Sequence, residues 1–207
     1  WALPPSKHFV ARPLQFKPLV KSLFHHLRDS TLVCLFAIGF LLMGSFVTMY
    51  NYISFKFLEE PYALSATIVG WIFLVYLVGT FSSAWFGSLS SKYGKQPVLY
   101  LGIIIFLAGL LLTIPGPLFM QIIGLIIFTF GFFAAHSVAS GWVSARATHD
   151  KAQASSIYLF AYYFGSSVAG TAGGYFWMKF GWSGIVGFLG CGILLCLICA
   201  MYIHYAN

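Results

Sequence analysis

The chain has 207 residues, of which 60% are hydrophobic and only 7% are charged. Soluble domains use Asp, Glu, Lys and Arg for about a quarter of their residues, so this composition excludes an ordinary soluble protein and indicates a membrane protein. The net charge of +7 comes from basic residues between apolar segments, a pattern typical of membrane topology signals and not of nucleic-acid binding.

Six uncharged apolar runs follow one another along the chain, at residues 31–53, 66–88, 97–114, 118–144, 154–178 and 183–205. A helix needs roughly 18 or more apolar residues to cross the hydrocarbon layer, and each run reaches that length. The runs lack the alternation of polar and apolar residues that membrane β-barrel strands show. The sequence therefore predicts an all-α membrane protein with six transmembrane helices.

Residues 1–30 form a basic connector before the first run. Its last part, LVKSLFHHLRD, places Leu19, Leu23 and Leu27 at helical spacing, and we expect a short amphipathic helix along the cytoplasmic membrane surface. The chain opens on Trp1 and not on Met. We expect it to be an internal segment of a longer protein.

Lysine and arginine are distributed unequally between the two sides of the predicted bundle. Only Lys56 and Lys179 lie on one side, and the other nine lie on the opposite side: Lys7, Arg12, Lys17, Lys21, Arg28, Lys92, Lys95, Arg146 and Lys151. Loops rich in Lys and Arg remain in the cytoplasm. Both ends of this segment are therefore expected to be cytoplasmic.

Polar residues within the runs indicate which helices face a cavity, because polar groups in hydrocarbon are costly without partners or water. The third and sixth runs carry almost none, so we expect them to face lipid. The other runs supply the candidate substrate-cavity residues Thr48, Asn51, Thr129, Phe133, His136, Ser140, Tyr158, Tyr162 and Ser166. Hydrogen bonding between helices is the alternative explanation for these side chains.

Small residues at a spacing of four indicate where helices touch. Gly79 and Ser83 in the second run, and Gly170 and Gly174 in the fifth, are the predicted packing positions. The four cysteines lie inside the runs, where they behave as small hydrophobic residues. We predict no metal site, no disulfide and no cofactor.

The segment GSLSSKYGK, between the second and third runs, resembles the cytoplasmic signature G-x-L-x-D-[RK]-x-G-[RK] of the major facilitator superfamily of transporters. The matching positions are Gly87, Leu89, Lys92, Gly94 and Lys95. With six runs and cytoplasmic ends, the whole chain resembles the carboxyl-terminal half of such a transporter. In that family this segment acts in gating at the cytoplasmic side.

The resemblance departs at Ser91, where the signature has Asp, and this weakens the charge-relay role attached to the motif. The stretches GFLLMGSFVTMYNYI, GFFAAHSVASGW and QASSIYLFAYYFGSSVAGTAGG are similar to a bacterial inner-membrane efflux branch related to drug:proton and arabinose-efflux antiporters. This implies spans seven to twelve of a twelve-helix bundle that works by alternating access. It also implies a missing amino-terminal half as partner, protons, and a small amphipathic molecule or a sugar as substrate.

Proton coupling normally needs an ionisable group within the membrane. Asp29, Glu59, Glu60 and Asp150 all lie outside the runs, whereas His136 lies inside the fourth. We expect the coupling acid to belong to the missing half, with His136 acting as a substrate contact or a structural hydrogen bonder.

Three other functions are considered. A self-sufficient half transporter or channel could act as a homodimer. An intramembrane protease is disfavoured because there is no GxSG turn, and because His136 and Ser140 lie on one helix, which suits packing better than nucleophilic attack. A scaffold without transport is disfavoured by the polar inward face. We therefore expect transport and no enzymatic activity.

Overall fold

A computed structural model of the chain describes residues 16–114 and 116–206. These residues form helices with short connections and contain no strand, which confirms the prediction of an all-α protein. Residues 1–15 of the predicted connector lie outside the described part of the chain.

Seven α-helices follow one another in this part of the chain, and a 3₁₀ helix, Trp71–Val75, joins the third to the fourth. The α-helices are α1 Phe16–Arg28, α2 Ser30–Leu58, α3 Ala66–Gly70, α4 Tyr76–Tyr93, α5 Lys95–Leu112, α6 Leu118–Arg146 and α7 Lys151–Ala206. Five helical segments are long and apolar enough to cross a membrane, namely Ser30–Leu58, Ala66–Tyr93, Lys95–Leu112, Leu118–Arg146 and Lys151–Tyr205.

The long helix α7 contains the fifth and sixth predicted runs and is not straight. Gly181 has a φ of 58° and a ψ of −143°, which is not helical. The rings of Phe176 and Phe188 stack with centroids 4.6 Å apart, although twelve residues of continuous helix would separate them by about 18 Å. The chain therefore reverses at Gly181 into a first arm, residues 151–180, and a second arm, residues 182–206.

Helix α2 lies at the centre of the bundle and contacts both arms of α7. Against the first arm, a Cβ added at Gly44 would lie 2.9 Å from the carbonyl oxygen of Gly165. Against the second arm, a Cβ added at Gly192 would lie 3.2 Å from Ser45 Oγ. Only glycine permits the first of these contacts, because the approaching group is backbone.

Helices α5 and α6 pack with their backbones in direct contact at several glycines. A Cβ added at Gly102 would lie 2.8 Å from the Ala135 nitrogen, and one added at Gly131 would lie 2.6 Å from Phe106 Cα. The opposite side of α5 exposes large apolar residues such as Leu101 and Ile104, as expected for a helix that faces lipid.

A hydrogen-bonded group around Lys56 joins four elements at one end of the bundle. Lys56 Nζ donates to the Thr113 carbonyl at 3.2 Å and to Gln121 Oε1 at 2.9 Å, and it lies 4.5 Å from the centre of the Trp182 ring. Trp182 Nε1 donates to the same carbonyl at 2.6 Å. The end of α2, the end of α5, the start of α6 and the turn at Gly181 are thus joined.

Asp29 stabilises the other end of the bundle in two ways. As the N-cap of α2, it accepts hydrogen bonds from the amides of Thr31 and Leu32, which would otherwise be unsatisfied. Its second carboxylate oxygen accepts from Arg146 Nε at 2.9 Å. Partial burial alone would raise the pKa of Asp29, but these interactions outweigh it and hold the pKa below the ordinary value of 3.8.

Gly131→Ala is expected to destabilise the bundle, since its methyl group would meet the backbone of α5. Overpacking of this kind costs about 1–3 kcal/mol. Gly141→Ala in the same helix is the control, because nothing lies within 4 Å of a Cβ at that position. Thermal unfolding in detergent, followed by tryptophan fluorescence, should show a lower midpoint for the first variant only. Equal midpoints for the two variants would contradict the contact.

Asp29→Asn is expected to destabilise the protein less than Asp29→Ala, because Asn still caps the helix and loses only the ion pair. The ion pair is partly exposed and contributes roughly 0–1 kcal/mol, whereas loss of the cap costs about 1 kcal/mol.

The effect of the Asp29 charge on stability should depend on pH. Because the pKa of Asp29 is lowered in the folded protein, its charge stabilises the fold above the ordinary pKa of 3.8, and this stabilisation is lost as the pH falls through the folded value. The difference in unfolding midpoint between wild type and Asp29→Asn should therefore become smaller in acid. A difference that does not change with pH would show that the ionised Asp29 carboxylate does not stabilise the fold.

Candidate functional site

Two of the predicted cavity residues lie inside helix contacts. Thr129 of α6 and Tyr50 of α2 are both buried, and their hydroxyl oxygens are 2.7 Å apart. Thr48 is also buried and donates to the Gly44 carbonyl of its own helix at 2.7 Å. These hydroxyl groups are engaged in helix packing and do not line the crevice described below.

His136 lies in the middle of an aromatic cluster formed by α2, α6 and the first arm of α7. Its Nδ1 is 3.0 Å from the Tyr158 hydroxyl, and its ring centroid is 4.6 Å from that of Tyr162. Phe132 stacks nearly parallel to it at 5.9 Å, and Phe46 stacks on Phe132 at 3.9 Å. Three aromatic side chains, Phe132, Tyr158 and Tyr162, therefore surround the imidazole, and Phe46 packs behind Phe132.

The aromatic cluster depends on two residues that the sequence analysis did not select. Gly39 leaves room for the buried ring of Tyr158, whose Cε2 would lie 2.6 Å from an added Cβ. Phe46 contacts Phe132 and also Tyr50, at 4.9 Å between ring centroids. Its position four residues before Tyr50, on the same helix face, is the signal that would have identified it.

An open crevice of about 410 Å³ lies between α6 and the first arm of α7, beside His136. Its lining residues are His136, Ser137, Ser140, Gly141, Val143, Ser144, Ser155, Tyr158 and Leu159. Ser140 donates to the Ser137 carbonyl at 3.2 Å, and Ser144 and Ser155 lie within hydrogen-bonding distance of each other at 3.3 Å. None of these described lining residues is Asp, Glu, Lys or Arg, so they offer the crevice hydroxyl groups and aromatic faces without a formal charge.

The remaining predicted cavity residues lie outside this crevice. Asn51 is exposed on α2, and its Nδ2 would lie 3.5 Å from a Cβ added at Gly170. Ser166 donates to the Tyr163 carbonyl at 2.7 Å. Phe133 is half-buried, with its ring 5.7 Å from that of Phe46. The structure thus brings His136, Ser140 and Tyr158 together at the crevice, with Tyr162 against His136. Phe133 packs against the aromatic cluster outside the crevice.

The signature-like segment forms the tight connection between α4 and α5. Gly94, the residue between the two helices, has a φ of 90°, which favours glycine. Ser91, at the position of the signature aspartate, donates to the Gly87 carbonyl at 3.3 Å. Lys92 is exposed, with its Nζ 5.1 Å from the Tyr93 ring centre. Leu89 and Lys95 are half-buried.

The predicted packing positions lie against side chains and not against backbone. Gly79 faces the Phe133 ring, and a Cβ at Gly174 would lie 3.2 Å from the Tyr52 hydroxyl. That hydroxyl donates to the Gly170 carbonyl at 3.0 Å, and Ser83 is half-buried. Backbone contacts that leave no room for a Cβ occur instead at other glycines, among them Gly44, Gly102, Gly109, Gly131 and Gly165.

The family model described as "Major Facilitator Superfamily" matches residues 33–206 of this chain. An "Uncharacterized MFS-type transporter YybF" of Bacillus subtilis (strain 168) is 50% identical over 201 residues, which are 97% of this chain and 50% of that protein. The "Inner membrane transport protein YnfM" of Escherichia coli (strain K12) is 45% identical over 202 residues, 98% of this chain and 48% of that protein.

A further relative, an "Uncharacterized transporter" of Buchnera aphidicola subsp. Schizaphis graminum (strain Sg), is 44% identical over 187 residues, 90% of this chain and 45% of that protein. The chain thus spans about half the length of the curated relatives it matches. The names of these relatives describe transporters, which agrees with the expectation of transport and not enzymatic catalysis. With a family match over most of its length, this chain belongs to the major facilitator superfamily of membrane transporters.

Proposed function

We propose that this chain is the carboxyl-terminal half of a twelve-helix secondary transporter that works by alternating access. The reversal of α7 at Gly181 supports six membrane crossings, since each of its arms is longer than the 18-residue helix α5. The relatives are about twice as long as the chain, which supports a second half of similar size. The lipid bilayer and that missing amino-terminal half are therefore its partners.

The basic end of the bundle is proposed to face the cytoplasm of a cell whose inner membrane holds the transporter. Asp29 and Arg146 meet at that end, together with the start of α2 and the end of α6. Lys56 and Trp182 meet at the other end. The Escherichia coli relative is named as an inner membrane transport protein, and this name supports the location.

The crevice beside His136 is the observation that carries the proposal. Small-molecule sites are mostly apolar and aromatic, with a few polar groups that orient the ligand, and the crevice has this composition. A small amphipathic molecule or a sugar fits it, since both use aromatic faces and hydroxyl groups. Asn51 and Ser166, on the uncovered face of α2 and the first arm, would complete the site together with the missing half.

Proton coupling, with efflux of the substrate, is proposed to depend on a carboxylate in the missing half. The carboxylates in the described part of the chain are Asp29, Glu59, Glu60 and Asp150, and they lie at the ends of the bundle. His136 would contact substrate or orient Tyr158. The turn at residues 87–95 would stabilise one of the two access states, with Lys92 and Lys95 near helix ends or lipid phosphate.

The 207-residue chain alone is expected to leave a pH gradient unchanged in everted membrane vesicles, because half of the site is missing. Co-expression with the part of the Bacillus subtilis relative outside the matched region should restore substrate-induced collapse of the gradient. A lipophilic cation and a pentose are the two test substrates, and co-purification checks assembly of the halves.

Collapse of the gradient by the chain alone would contradict the proposal and favour the self-sufficient homodimer. An assembled pair of halves that moves neither substrate nor protons would also contradict it.

In the assembled pair, His136→Gln is expected to raise the apparent KM for substrate by roughly 5- to 30-fold, the effect of losing about 1–2 kcal/mol of binding. The pH dependence of transport should stay the same, because His136 does not carry the coupled proton. His204→Gln, at the exposed end of α7, is the matched control. A His136→Gln variant that binds substrate normally but loses its pH dependence would show that His136 is the coupling group.

A further inference from the structure

Helix α1 has an unusual distribution of side chains relative to the bundle. Among the described side chains of α1, at residues 20–28, the buried ones are polar, with Ser22 7% and His26 2% exposed. The large apolar side chains Leu23, Phe24 and Leu27 point away from the bundle and are 39%, 60% and 45% exposed. A helix surrounded by water would bury its apolar face. This arrangement instead suits a helix whose outer face lies in the interfacial layer of a membrane.

A basic stripe runs along α1 beside its apolar face. Lys21, His25 and Arg28 are spaced i, i+4 and i+7 and therefore share one side of the helix, and all three are exposed. A cavity of about 380 Å³ along this stripe is lined by these three residues and Phe24. Positive charge and an aromatic side chain thus border the same cavity.

A second cavity extends the basic stripe toward the connection between α6 and α7. It measures about 290 Å³ and is lined by Lys21, Ser22, His25, His149 and Asp150. Among the described residues, Asp150 is the one carboxylate that lines either cavity. Lys21 and Arg28 therefore give the two cavities together an excess of positive charge, and two imidazoles add hydrogen-bonding groups.

We propose that the Lys21–His25–Arg28 stripe binds the phosphate headgroup of an anionic phospholipid. The acyl chains of that lipid would lie against Leu23, Phe24 and Leu27. A lipid fits better than free phosphate because the apolar side chains continue directly from the basic stripe, and Phe24 borders the headgroup cavity. The site adjoins the start of α2, so a bound lipid would anchor the connector to the bundle, independently of any substrate.

Native mass spectrometry of the full chain in an uncharged detergent tests this site. Phosphatidylglycerol, phosphatidylcholine and inorganic phosphate are the three added probes. The wild-type chain should retain phosphatidylglycerol. The double variant Lys21→Gln/Arg28→Gln should retain at most about one fifth as much of this lipid as wild type. The control, Lys179→Gln, removes an exposed positive charge at the other end of the bundle and should bind like wild type.

Two further variants distinguish loss of the site from loss of the fold and lipid from free phosphate. Lys21→Arg/Arg28→Lys keeps both charges and should bind phosphatidylglycerol like wild type. Phe24→Ser should weaken phosphatidylglycerol binding without creating phosphate binding.

The proposal would be overturned if the wild type retained phosphatidylcholine as well as phosphatidylglycerol. It would also be overturned if Lys21→Gln/Arg28→Gln retained phosphatidylglycerol as well as wild type. The site would be assigned to free phosphate instead if millimolar inorganic phosphate displaced the lipid and if Phe24→Ser bound phosphatidylglycerol as well as wild type. A dimer of the chain that the double variant abolishes would show that the stripe is an interface between copies, which also overturns the proposal.

Discussion

The close contact between α2 and the first arm of α7 determines the geometry of the rest of the bundle. At Gly44 and Gly165 the two backbones approach so closely that no side chain fits between them. This contact aligns the arm with α2 and brings Tyr158 against Gly39. Because Tyr158 is held there, its hydroxyl meets His136 of α6. A packing constraint among glycines thus positions the polar residues of the candidate site.

Hydrocarbon surroundings explain why so many hydroxyl groups bond to the carbonyls of their own helix. Thr48, Ser137 and Ser140 each donate to a carbonyl three or four residues earlier. Such bonds satisfy the hydroxyl proton without water. In the crevice, the same serines keep lone pairs that can accept hydrogen bonds from a ligand. Polar groups can therefore line a binding site without destabilising the bundle when the site is empty.

Different interactions hold the helices together at the two ends of the bundle. At one end, the Lys56 ammonium lies between a carbonyl, an amide oxygen and the Trp182 ring, so one cation joins α2 to α5, α6 and α7. At the other end, Asp29 caps α2 and pairs with Arg146. Both groups connect helices within this chain, and together they favour movement of the bundle as one body, as the proposed alternating-access mechanism would require.

The sequence by itself determined the all-helical membrane class, because uncharged apolar runs of sufficient length have few other stable structures in a bilayer. It also predicted that His136 and Ser140 share one helix face and that Tyr158 and Tyr162 share another, since residues three or four apart lie on the same side of a helix. Only the tertiary structure separated Thr48 and Thr129, which are buried in helix contacts, from Ser140, which lines the crevice. It alone showed that glycines such as Gly44, Gly102 and Gly131 meet the backbone of a neighbouring helix. Periodicity describes one helix at a time, whereas the neighbour that each face meets depends on how the helices cross.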